Sequence, residues 1–206
     1  MDILYKKEFY IPFFIVLLFN LEPDIYQTST AIILKEKENW DNINFALLSL
    51  ISCILVFPSV FFFLKGNLSK KLNIQWILFF GILINTIGLS GYYSLAFIEK
   101  FQKDSVFFIM QLWPNILVLL SETTIVSFFF QIFNECCPKG FENTGITLVL
   151  AIYNSGVLLG DIFGLGLMNI FKIKAKNFKR FIYPLMITQS YGVLLLILIM
   201  IINLIK

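Results

Sequence analysis

The stretch ITLVLAIYNSGVLLGDIFGLGLMNIF, residues 146–171, is apolar almost throughout, yet it carries an aspartate at position 161. About 20 consecutive, mainly apolar residues are enough for a helix to cross the hydrocarbon core of a bilayer. A strand of a membrane barrel needs only about ten residues and alternates apolar with polar side chains, which this stretch does not do. The stretch therefore predicts a membrane-spanning helix with polar groups inside it.

The composition of the chain agrees with a membrane environment. Of its 206 residues, 58% are hydrophobic and 14% are charged, whereas soluble domains carry roughly 25% charged residues. The net charge of +3 is small and comes from scattered lysines, so we expect no nucleic-acid partner. The chain has three cysteines and no histidine. Neither a metal site nor another cofactor is predicted, because zinc sites draw on clustered cysteine and histidine ligands.

Similar apolar stretches recur along the chain, and short polar segments separate them. We predict six transmembrane helices, at residues 9–34, 42–64, 74–98, 106–133, 146–171 and 181–205. The predicted fold is all-α, a single polytopic membrane bundle that covers residues 1–206. We expect a multi-pass integral membrane protein of the plasma membrane or an organelle membrane, with the lipid bilayer as its surroundings.

Acidic residues lie inside two of the predicted spans, at Glu122 and Asp161, and two more flank Pro23 in the first span, at Glu22 and Asp24. An ionisable side chain within the bilayer is costly, so it normally faces the bundle interior or a watery cavity and marks a functional site. We therefore predict that these four residues bind a substrate or carry protons.

Helical spacing separates the fifth span into two adjacent stripes. At 100° per residue, Thr147, Asn154 and Asp161 recur every seven residues and form a polar stripe. The neighbouring stripe consists of small residues: Gly156, Gly160 and Gly164. Small residues at every fourth position allow two helix backbones to approach closely, so we predict a packing role for the glycines.

Amide side chains extend the list of candidates. In the fourth span, Gln111 and Asn115 share one helical face with Glu122. We add Asn115 and Asn154 to the predicted substrate- or proton-binding residues. For Asn85, Asn115 and Asn154 a simple hydrogen bond to a neighbouring helix is the alternative interpretation.

The first span contains a predicted break. Pro23 has no backbone N–H group, which should leave the carbonyl of Phe19 without its intrahelical partner. Broken helices often line transport sites, because irregular backbone is tolerated in a membrane only where protein or water covers it. The Glu22–Asp24 region is therefore a candidate for the wall of a transport site.

An enzymatic interpretation was tested on the Gly160–Asp161 pair. Intramembrane aspartyl proteases carry a Gly-x-Gly-Asp motif and a second aspartate that shares a proton with the first. Here the residue at position 158 is leucine, and the preceding predicted helix offers Glu122 in place of an aspartate. We predict that the chain is not an enzyme.

The segment CCPKGFENTGITLVLAIYNSGVLLGDIFGLGLM, residues 136–168, resembles the folate–biopterin transporters, a branch of the major facilitator superfamily. Their motif residues correspond to Cys137, Pro138, Gly140 and Glu142, followed by Asn154, Gly156 and Gly164. The resemblance implies a fold equal to helices seven to twelve of a twelve-helix transporter. It also implies a proton-coupled symporter that carries folate, pterin or a related small metabolite by alternating access.

The resemblance covers only half of a twelve-helix transporter, and this affects which partners are expected. The first six helices of such a transporter have no counterpart here, which leaves three interpretations: a truncated sequence, a half-transporter that pairs as a homodimer or with a second six-helix half, or a degenerate paralogue. A folate's carboxylates would need a cation from the other half or from Lys139, because no lysine or arginine lies deep in the predicted spans. The rival class is a membrane assembly protein whose polar residues only join helices.

Overall fold

The computed structural model describes residues 7–25, 42–65, 74–96, 104–136, 142–173 and 179–204. Regular secondary structure in these ranges is entirely helical, which confirms the predicted all-α class. The helices are α1 (Lys7–Asn20), α2 (Asn42–Lys65), α3 (Ile74–Ser90), the short α4 (Tyr93–Ala96), α5 (Asp104–Cys136), α6 (Glu142–Ile170) and α7 (Ile182–Leu204).

Three of the described helices are long and apolar enough to cross a membrane. The stretches concerned are Phe108–Phe128 of α5, Leu150–Ile170 of α6 and Lys179–Leu204, which includes α7. Shorter apolar stretches occupy Ile43–Pro58 in α2 and Trp76–Ser90 in α3. These lengths and compositions indicate an integral membrane protein. The count of six spans and the correspondence to half of a major facilitator transporter stay predictions.

The third predicted span, 74–98, is wrong as a continuous helix, because a turn at Gly91 separates α3 from α4. The Gly91 N–H group donates to the carbonyl of Gly88 at 3.0 Å. A β-carbon at Gly91 would lie 2.6 Å from the Trp113 ring and 2.7 Å from Pro114. Only a residue without a side chain therefore fits where this turn meets α5.

The interior is apolar and joins α1, α3, α5 and α7. Its main cluster consists of Ile15, Val16, Phe19, Ile77, Leu78, Ile82, Ile125, Phe128, Leu195, Leu196 and Ile199. A second cluster lies around Ile25, Leu89, Phe181 and Leu185, which are all fully buried. The outward side chains of α6 and α7 are also large and apolar, for example Leu158, Phe163 and Leu194. Such an apolar exterior indicates contact with lipid or with another bundle.

One buried hydroxyl links α5 to α3 and gives a first prediction. Ser121 is fully buried, and its Oγ donates to the carbonyl of Gly81 at 2.6 Å. We expect Ser121→Ala to lower the free energy of unfolding by about 1 kcal/mol, because the bond between the helices is lost. Thermal unfolding in detergent measures this. Ser155→Ala is the control, since Ser155 is exposed and bonds only to its own helix; equal destabilisation by both changes would contradict the prediction.

Candidate functional site

The site begins where α1 ends. Every carbonyl of the last turn accepts a hydrogen bond. The Val16 carbonyl accepts from the Asn20 side chain at 2.9 Å, and the Leu17 carbonyl accepts from the Leu21 N–H group at 3.1 Å. The Leu18 carbonyl accepts from the Tyr191 hydroxyl of α7 at 2.6 Å, and the Phe19 carbonyl accepts from the Glu22 N–H group at 3.1 Å. As expected, Pro23 donates no bond to the Phe19 carbonyl, and the Glu22 N–H group takes its place. The chain tightens into a final 3₁₀-type turn, a common way to satisfy a helix end.

After this turn the backbone of residues 21–25 is non-helical and lies against the glycine stripe of α6. Asp24 N–H donates to the Gly160 carbonyl at 3.2 Å. A β-carbon at Gly160 would lie 2.7 Å from the Glu22 carbonyl oxygen, and one at Gly164 would lie 2.7 Å from the carbonyl carbon of Asp24. Gly156 meets the last turn of α1, and Gly160 and Gly164 meet the irregular backbone after it, at separations that leave no room for a side chain.

A cavity of about 480 Å³ opens beside this segment, a size within the range of small-molecule sites. Its wall is formed by the end of α1 and the segment after it, and by parts of α2, α3, α5 and α6. The polar side chains in the wall are Asn20, Glu22, Asp24, Ser49, Asn85, Tyr92, Gln111, Asn115, Glu122 and Tyr153. None of the described lining residues is lysine or arginine.

The cavity brings together four of the six residues that the sequence proposed for substrate or proton binding: Glu22, Asp24, Asn115 and Glu122. The remaining two are not among its lining residues. Both lie on α6, where Asn154 is exposed and Asp161 is half-buried. Tyr153 and Val157 of the same helix do face the cavity, so the polar stripe and the cavity-lining stripe of α6 are different.

Hydrogen bonds across helices hold the amide side chains of the wall. Asn85 of α3 donates through Nδ2 to Glu22 Oε2 at 2.8 Å. Asn115 of α5 donates through Nδ2 to Ser52 Oγ of α2 at 3.0 Å. Gln111 Nε2 donates to Ser94 Oγ of α4 at 3.1 Å. Asn115 therefore joins two helices, as the alternative interpretation expected, whereas Asn85 joins α3 to the non-helical segment after α1. Both residues also line the cavity.

Two oxygens of the wall are buried without a hydrogen-bond partner among the described residues. They are Glu22 Oε1 and Gln111 Oε1. Gln111 is fully buried as a residue. The great majority of buried polar atoms in proteins have a hydrogen-bond partner, so each exception calls for an explanation.

Sequence reasoning missed the two tyrosines of the wall and underrated Asn85. Tyr92 sits in the turn after α3, and Tyr153 precedes Asn154 on α6. Tyrosines are common in membrane helices, so neither gave a distinguishing signal. Asn85 was a visible amide within an apolar span, but only the fold shows that it faces Glu22. Among the described residues, no group of three acid, cysteine or histidine side chains could hold a metal ion.

Comparison with known families bears on the C-terminal part of the chain. Residues 129–206 match the BT1 family. The resemblance to the folate–biopterin transporters is confirmed over this range. Comparisons with curated proteins and with solved structures gave no match.

The BT1 match covers the end of α5 and all of α6 and α7. It therefore includes the glycine stripe and Tyr153, but it begins after Glu22 and, within α5, after Glu122. Of the residues that carried the resemblance, Cys137, Pro138 and Gly140 lie outside the described residues, and Glu142 is the first residue of α6. The BT1 match and the cavity thus meet at α6.

Proposed function

We propose that the chain forms one half of a transporter for folate, pterin or a related small metabolite. The substrate binds in the cavity near the membrane midplane, and a second six-helix half, or a second copy of the chain, closes the site from the other side. Relative rocking of the two halves alternates access to the site. Protons drive the cycle as the co-transported ion.

The observation that carries the proposal is the convergence of Glu22, Asp24 and Glu122 on one cavity beside the non-helical segment that follows α1. Carboxyl groups in a low-dielectric wall are costly to maintain, and none of the described lining residues is a lysine or an arginine. A fold that keeps them has a use for their charge or for their protons. The match of residues 129–206 to BT1 supports transport as that use, rather than catalysis.

Two different roles are proposed for the carboxyl groups. One carboxylate accepts parallel hydrogen bonds from the amino and ring N–H groups of a pterin. Another takes up and releases the coupled proton. Asp161 and Asn154 stay candidates for the proton pathway or for the contact with the second half, because α6 presents them away from the cavity lining.

The test is uptake by the purified full-length chain, with any second half that co-purifies, in liposomes. We expect radiolabelled folic acid or biopterin to accumulate under an inward proton gradient and to stop accumulating when a protonophore is added. Native mass measurement on the same sample reports whether two halves associate. Stable protein that shows no uptake above empty liposomes would favour the rival class, a membrane assembly protein.

A further inference from the structure

The amide side chains of the cavity have a common orientation. In Gln111 and Asn115, the amide nitrogen is directed at a serine hydroxyl of a neighbouring helix. In each case that serine already donates its own proton to a backbone carbonyl: Ser94 to Gly91 at 2.8 Å, and Ser52 to Leu48 at 2.8 Å.

This arrangement decides which amide atom is left without a partner. A hydroxyl has one proton, so a serine that donates to a carbonyl can only accept from the amide. The amide must therefore present its nitrogen to the serine, and the assignment of nitrogen and oxygen is not free. The oxygen of Gln111 is consequently buried, and none of the described residues donates to it.

The carboxyl groups add acceptors of the same kind. Glu22 accepts from Asn85 through Oε2, and its Oε1 is buried without a hydrogen-bond partner among the described residues. Glu122 and Asp24 face the same cavity. The hydroxyls of Ser49, Tyr92 and Tyr153 can donate or accept, but the amide oxygens and carboxyl groups give the wall an excess of hydrogen-bond acceptors. None of the described lining residues is a lysine or an arginine that would attract an anion.

We infer that this cavity selects the N–H-donating end of its ligand, an amino-substituted nitrogen heterocycle, and excludes the ligand's anionic end. An inorganic cation is a poorer fit, because the described acid side chains are not grouped as metal ligands and the volume of about 480 Å³ far exceeds one ion. Gln111 is a specificity-determining residue, and Ser94 is the residue that positions its amide. The inference rests on the proposed function and specifies its ligand.

The experiment compares competitors of folic acid uptake by the full-length protein in liposomes. Pterin carries an amino group at position 2, lumazine carries a carbonyl there, and p-aminobenzoylglutamate is the anionic tail alone. We expect lumazine to be at least about tenfold weaker than pterin as a competitor, because its carbonyl at position 2 would face hydrogen-bond acceptors in the cavity wall. We expect the anionic tail to compete least.

Two variants examine the assigned residues. Ser94→Ala frees the Gln111 amide to turn its nitrogen to the cavity, so we expect the pterin-to-lumazine ratio of inhibition constants to fall towards one. Gln111→Met should reduce the ratio in the same direction. Ser90→Ala is the matched control, since the Ser90 hydroxyl also bonds to a carbonyl one turn back and lies outside the cavity lining; it should leave the ratio unchanged. Size-exclusion profiles verify folding.

The outcomes separate this inference from the proposed function. Folic acid uptake with equal competition by pterin and lumazine overturns the inference and leaves the transporter proposal standing. Stronger competition by the anionic tail, or uptake that requires sodium, overturns it as well. Absence of folic acid and pterin uptake from folded protein overturns the transporter proposal itself. If Ser94→Ala keeps the wild-type pterin-to-lumazine ratio of inhibition constants, Ser94 does not position the Gln111 amide.

Discussion

Gly164→Ala is expected to destabilise the protein more than any other single-methyl change discussed here. The new β-carbon would lie 2.7 Å from the carbonyl carbon and 3.2 Å from the amide nitrogen of Asp24. Both are backbone atoms, so no side-chain rotation relieves the overlap. We expect a loss of about 2–3 kcal/mol from overpacking, which lowers the thermal midpoint in detergent by roughly 5–10 °C.

Gly166→Ala is the matched control in the same helix. No atom lies within 4 Å of a β-carbon at Gly166. Alanine is favoured over glycine in a helix by about 1 kcal/mol, so this change should be neutral or stabilising. A midpoint that falls equally in both variants would contradict the role assigned to the contact with Asp24, because helix propensity favours alanine at both positions. Gly160→Leu should likewise reduce the amount of folded protein before it alters selectivity.

Glu122→Gln is expected to have the largest effect on transport. The substitution keeps the shape of the side chain and removes its charge and its exchangeable proton. If Glu122 binds the substrate's donors or carries the coupled proton, uptake at equal protein level should fall about 10- to 100-fold, the scale of a hydrogen bond to a charged group. Initial rates of folic acid uptake into liposomes at several external pH values measure this.

Two further variants make this prediction specific. Thr123→Val is the control beside Glu122, because the Thr123 hydroxyl bonds only to its own helix and the residue is not part of the cavity wall. Asp161→Asn applies the same acid-to-amide change outside the cavity, and we expect a smaller loss than for Glu122→Gln. A larger loss in Asp161→Asn would place the essential carboxyl group on the exterior of α6 instead.

Sequence and structure agree best where the signal is local. Helix α2 begins at the predicted residue and ends one residue beyond its predicted end, because the apolar run and its polar flanks lie within one continuous segment. The first and third predicted spans differ from the structure for a different reason. The break near Pro23 was visible in the sequence, but the packing of the end of α1 against α6 and α7 was not. The turn at Gly91 likewise depends on contacts with α5, which no window of sequence contains.

The candidate site shows the same division. Glu22 and Glu122 were visible as costly charges in apolar spans, whichever way their helices faced. The same reasoning ranked Asp161 with them, although α6 directs Tyr153 and Val157, and not Asp161, to the cavity. Periodicity groups residues into faces of one helix, but it does not say which face meets the interior.

The sequence by itself determined that the chain is helical and apolar, that α6 has a smooth glycine face, and that carboxyl groups are held among apolar residues. These properties follow from composition and from helical period, which are local. Only the tertiary structure decided that the glycine face meets the irregular backbone after α1, and that Glu22, Asn85, Gln111 and Glu122 share one wall. Their side chains come from separate helices, so packing of the whole bundle, and not the order of residues, sets which of them meet.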